Sequence, residues 1–124
     1  MLAGDFFIIT NIDSTEESIS ATLQLNAAHR IFDGHFPGQP VVPGVCMVQM
    51  IKEILEKKID KKTRLIKSDH AKFLAMIDPR VHSIINATIK YNSPNTDELH
   101  VTASLFIDAI IFLKFKGIFT LKNI

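Results

Sequence analysis

His35 is the residue best placed to do chemistry. It stands in the segment Gly34 to Gly44, GHFPGQPVVPG, where three prolines and three glycines restrict the backbone and set one ionisable side chain shortly before an apolar, helix-forming stretch. The first turn of a helix offers backbone N–H groups with no intrahelical partner. Such donors polarise a carbonyl oxygen, and a nearby neutral imidazole then removes a proton alpha to that carbonyl, so the pairing suits enolate chemistry. The alternative for a lone histidine is that it packs in the loop. Cys46 reads either as a thiol activated by the helix terminus or as a packing residue. His29 reads as a surface or lid residue of the loop, and His70 as a strand residue. No HxxxH or CxxC arrangement accompanies them, so no metal site is expected.

Positioning these groups falls to the elements on either side. Asp5 to Ile12 is β-branched and aromatic and reads as a strand. Ser18 to Leu25 alternates apolar Ile19, Ala21, Leu23 and Leu25 with polar residues, the period of a strand with one buried face. Asn26 to Gly44 is too rich in proline and glycine for regular structure and reads as a long functional loop. From Val45 to Lys58, apolar residues cover most of a helical circumference, which predicts a helix wrapped by other elements. Strands follow over Thr63 to Ile77, Arg80 to Asn92, Glu98 to Ile107 and Ala109 to Leu121, separated by turn residues. The expected fold class is α+β, an antiparallel sheet wrapped around one central helix, as a single domain over residues 1–124.

Composition narrows the function classes. Of 124 residues, 47% are apolar and nine are phenylalanine, enough for a core and a self-association surface. A net charge of +1 provides no global field for nucleic acid, no apolar run is long enough to span a bilayer, and the single cysteine fits a cytoplasmic protein. Eight of the fourteen basic residues fall between Lys52 and Lys72, which suits either docking of an acidic partner or a solvated helix end. Most of the phenylalanines at 73, 106, 112, 115 and 119 are expected in the core, with some left to line an apolar cavity.

The string GHFPGQPVVPGV resembles the active-site signature of the 3-hydroxyacyl-[acyl carrier protein] dehydratases, with each signature position filled from Gly34 to Val45. Ala71-Lys72-Phe73 and Asp78-Pro79 also stand where that family has its third strand and turn. The resemblance implies a hotdog fold. It also implies dehydration of (3R)-3-hydroxyacyl thioesters to trans-2-enoyl thioesters, in fatty acid or related acyl-chain biosynthesis. The substrate would ride on the phosphopantetheine of an acyl carrier protein, with no cofactor of the protein's own. Its quaternary implication is a homodimer or higher oligomer, or a heterodimer with another hotdog subunit. His35 matches the family's base, Gly44 and Val45 its amide donors to the thioester oxygen, and Phe36 a substrate contact.

The chain departs from the pattern at Gln49, where the family carries the Glu or Asp that protonates the leaving hydroxyl. An amide holds a hydroxyl but delivers no proton. Glu53 lies one helical turn further on, where the family commonly has Gln, as if the two were interchanged. It reads either as a substitute acid, reaching back or working through Gln49 or a water, or as a polar-stripe residue paired with Lys57. Beside the dehydratase stand two other readings, an acyl-binding or heterodimer-completing subunit and, more distantly, a thioesterase.

Overall fold

The computed structural model describes residues 1–33 and 38–121. Six strands form one antiparallel sheet: β1 (Phe7–Ser14), β2 (Ser18–Leu25), β3 (Thr63–Phe73), β4 (Ile84–Asn92), β5 (Glu98–Ile107) and β6 (Ile110–Leu121). Their order across the sheet is β1-β2-β4-β5-β6-β3, which leaves β1 and β3 at the edges. Among the described residues a single α-helix, α1 (Gly44–Ile59), packs against the sheet, and a short 3-10 turn spans Arg30–Phe32. This is the α+β hotdog arrangement expected from the sequence.

Alternation explains the wrapping. In β2 the residues Ile19, Ala21, Leu23 and Leu25 are buried, and Ile85, Ala87 and Ile89 in β4 and Leu99, Val101, Ala103 and Leu105 in β5 continue the same apolar face. On α1 they meet Met47, Met50, Ile51, Ile54 and Leu55, all buried. Packing around most of its circumference is what a helix with so narrow a polar stripe requires. Its C-terminal end is tied to β3 by Glu56, whose carboxylate accepts from Thr63 N–H at 2.6 Å and Thr63 Oγ1 at 3.0 Å. Asp60 ends the helix in the left-handed region, donating its N–H to the Glu56 carbonyl.

Several expected boundaries moved, three of them for a clear local reason. β1 begins at Phe7 rather than Asp5, because residues 2–6 form a turn in which Phe6 donates to the Leu2 carbonyl. β3 stops at Phe73 rather than Ile77, since pairing with β6 ends at Phe73↔Leu113 and the chain leaves the sheet to cross the start of α1. β4 starts at Ile84 rather than Arg80, because Asp78 organises a turn instead. Its side chain accepts from Arg80 N–H, its carbonyl accepts from Val81 and His82, and its own N–H donates to His82 Nδ1.

Bulges shape the remainder. The β5–β6 register shifts between Leu105 and Phe106, so Phe112 is the extra residue and is buried directly beside Leu113. Its ring packs on His82 with centroids 5.0 Å apart. Gly117 allows β3 to approach β6, since a Cβ there would sit 2.7 Å from the Lys67 carbonyl oxygen.

Candidate functional site

Helix α1 begins without a side-chain cap. Pro43 precedes it in extended conformation, and its carbonyl accepts from Cys46 and Met47. That leaves the N–H groups of Gly44 and Val45 without a partner among the described residues, two donors at the positive end of the helix dipole. Beside them opens an apolar groove of about 590 Å³, lined by Val41, Val42, Pro43, Val45, Phe73 and Met76. The Phe73 ring covers the helix start so closely that a Cβ on Gly44 would lie 2.9 Å from its tip. Val42 donates to the Ile77 carbonyl at 2.9 Å, fixing the strap that leads into the helix.

Several side chains around this groove are not where their apolar character alone would put them. Val45 is 77% exposed, Met76 65% and Phe73 51%, with Leu74 beside them. Val45 therefore does not join the buried circumference of α1. Phe73 likewise leaves the core, whereas Phe112, Phe115 and Phe119 are fully enclosed. The patch adjoins β3, an edge strand with unpaired backbone groups.

His35 and Phe36 lie outside the described residues. Of the other expected site residues, Gly44, Val45, Gln49 and Glu53 follow one another along α1, with Val45, Gln49 and Glu53 at four-residue spacing on one face, about 6 Å apart along the axis. Burial increases along this row from exposed Val45 through half-buried Gln49 to Glu53, which is 4% exposed.

Glu53 meets Gln49, the contact that one reading of the sequence invoked, but it is also held by the N-terminal turn, which neither reading anticipated. Its Oε1 accepts from Leu2 N–H at 3.0 Å and Ala3 N–H at 2.8 Å, and its Oε2 accepts from Leu2 N–H at 2.9 Å and from Gln49 Nε2 at 2.8 Å. Every neighbour is a donor, the surroundings of a carboxylate acting as acceptor. The expected ion pair with Lys57 is not made, because Lys57 points into solvent; the i,i+4 pair on this helix joins Lys52 and Glu56 at 3.7 Å. No sequence signal marks Leu2 and Ala3, since any residue but proline supplies the backbone N–H that binds Glu53.

The remaining candidates resolve as structural. His29 caps the 3-10 turn, its Nδ1 accepting from Ile31 N–H at 3.1 Å while Nε2 meets Asp5 Oδ2 at 3.0 Å and the ring stands edge-on to Phe6. His70 is exposed on edge strand β3 opposite Lys116. Cys46 is buried, and burial pushes its thiol pKa up, so it packs rather than reacts. The basic residues Lys57, Lys58, Lys61, Lys62 and Arg64 are exposed at the opposite end of α1, roughly 20 Å from its first turn by helical rise. Among the described residues, no helix is long and apolar enough to cross a membrane.

Comparison with known proteins gives this geometry a context. The family described as ApeI-like, ApeI dehydratase, matches residues 11–105. A curated 3-hydroxyacyl-[acyl-carrier-protein] dehydratase, FabZ, from Oenococcus oeni is 31% identical over 96 residues, covering 72% of this chain and 69% of that protein. The corresponding protein of Rickettsia felis is 30% identical over 82 residues, covering 60% of this chain and 57% of its own length. Among solved structures, the dehydratase heterocomplex ApeI:P from Xenorhabdus doucetiae superposes with a TM-score of 0.74 at 17% identity, covering 90% of this chain and 96% of the matched one.

Proposed function

The chain belongs to the ApeI-like dehydratase family, and on that premise we propose that it dehydrates 3-hydroxyacyl thioesters carried on acyl carrier protein, with the acyl chain in the groove beside the first turn of α1. The observation that carries this reading is the pair of N–H groups of Gly44 and Val45, without a partner among the described residues, opening onto an apolar groove. They would bind the thioester oxygen and stabilise the negative charge that develops on it when C2 loses its proton. His35, by its place in the signature, takes that proton. The C3–O bond then breaks, the electron pair from C2 forms the C2=C3 double bond, and the hydroxyl leaves as water.

The water needs a proton that Gln49 does not provide. We assign it to the imidazolium that His35 has just become, so that the proton taken from C2 returns to the departing oxygen and the base is regenerated. Gln49 binds the hydroxyl in place. The basic residues from Lys57 to Arg64 form the docking surface for an acidic carrier protein. The exposed apolar residues beside edge strand β3 form the contact with a second hotdog subunit. Incubation with a 3-hydroxyacyl carrier protein tests the reading: wild-type protein is expected to produce the enoyl thioester with loss of one water, and His35→Ala to lose at least a hundredfold in rate. Wild-type protein inert on a range of chain lengths overturns it.

A second reading draws support from Gln49 itself. A subunit without a direct acid could complete a heteromeric dehydratase, its apolar edge then meeting a different hotdog chain. Activity found only in a mixture with such a chain would favour this reading, and activity of the protein alone excludes it.

A further inference from the structure

Glu53 is a buried carboxylate, 4% exposed, on the side of α1 that meets the N-terminal turn, and anchoring that turn does not account for all of its bonds. Leu2 and Ala3 both donate to Oε1 and Leu2 also reaches Oε2, while the Gln49 contact to Oε2 is additional and occupies that amide's donor. A carboxamide is planar, with its oxygen and nitrogen about 120° apart on the carbon. Once Nε2 is drawn towards Glu53, Oε1 is directed elsewhere. Among the described residues no donor meets Oε1, and Gln49 is half-buried, on the face it shares with Val45. An acceptor so placed calls for a donor from a ligand or water.

We infer that Glu53 is a positioning residue that locks the Gln49 amide with Oε1 towards the bound thioester, making Gln49 a specific acceptor for a hydroxyl on the acyl chain. The inference rests on the dehydratase reading for the identity of the ligand. The lock itself does not. A carboxylate accepts only, so the amide cannot turn over without setting its oxygen against Oε2. The site therefore favours acyl thioesters bearing a hydroxyl at C3 over chains that lack the donor. Met1 to Phe7 belongs to the same network, because the amides that hold Glu53 in place come from this segment.

Two measurements on the full chain test this. In the side-chain amide NMR spectrum, one Gln49 proton is expected downfield and slow to exchange in the wild type, and is expected to return to ordinary values in Glu53→Gln. In binding titrations with a 3-hydroxyacyl pantetheine and its 3-deoxy counterpart, the wild type is expected to prefer the hydroxyl compound by roughly tenfold or more, the range of one hydrogen bond to an oriented group. Glu53→Gln should reduce that preference at least threefold while binding the deoxy compound as before. Should Glu53→Gln fail to fold, Gln49→Leu leaves the N-terminal bonds intact and must lose the preference as well. Unperturbed Gln49 amide signals in the wild type overturn the lock. A preference surviving in either variant overturns the role in recognition. A locked amide in a protein that binds neither compound overturns the dehydratase reading and leaves the lock standing.

Discussion

Gln49 donates its side-chain amide to Glu53 at 2.8 Å across one turn of the central helix. The two residues thus hold each other, and neither is a free acid. The bond orders the pair. Glu53 is the buried acceptor that also gathers the N-terminal turn, and Gln49 is the half-buried member nearer the helix start.

Gln49→Glu is expected to create two carboxyl groups in contact. Like charges at that distance cannot both ionise at low cost, so one carboxyl holds its proton well above the usual carboxylate range. That proton supplies the missing acid, and turnover should rise about tenfold to a hundredfold. The folded-state pKa of the pair is raised above its unfolded value, so the variant should be most stable in mild acid and lose stability as pH rises. Parallel measurement of kcat and Tm between pH 5 and 8 checks both directions.

Glu53→Ala should cost about 3 kcal/mol of unfolding free energy, since it leaves the Leu2 and Ala3 N–H groups and the Gln49 amide without their charged acceptor. The loss is expected first at the N-terminus. Amide hydrogen exchange at Leu2 to Phe7 should accelerate more than exchange in β4 and β5.

Cys46 should resist thiol reagents in the native protein. It is only 6% exposed, and burial raises its pKa, so little thiolate forms near neutrality. Reaction with a disulfide reagent should be about a hundredfold slower than in urea. Because the folded pKa is the higher one, the native state should lose stability as pH rises past the ordinary thiol value of 9.0, and Cys46→Ala should remove that dependence.

Two glycines in close contact should respond differently to alanine. At Gly117 the new methyl group meets the Lys67 carbonyl at 2.7 Å, which is backbone and cannot yield, so a loss of about 2 kcal/mol is expected. At Gly44 it meets the half-exposed Phe73 ring, which can swing aside, and stability should change by less than about 1 kcal/mol. Urea unfolding midpoints compare the two. Displacement of Phe73 should instead register as altered affinity for long acyl chains.

Much of the fold was legible because it rests on periodicity. The alternation in Ser18–Leu25, the bounds Glu98–Ile107 and the nearly all-round apolar helix depend on local side-chain spacing, which a linear sequence carries in full. The break at Asp78-Pro79 was legible too, but not its length, since the bonds from Arg80 and His82 to Asp78 extend the turn and displace the start of β4.

Residue types pointed to the loop and the helix-start donors, and the resemblance to the dehydratases exposed the departure at Gln49. Where the Glu53 carboxylate points was a different kind of question. Its partners are backbone N–H groups some fifty positions away in the chain, identical in chemistry to nearly every other N–H, so no side-chain pattern marks them. Only the folded chain brings the N-terminal turn over the helix, and that contact decides which way the Gln49 amide faces.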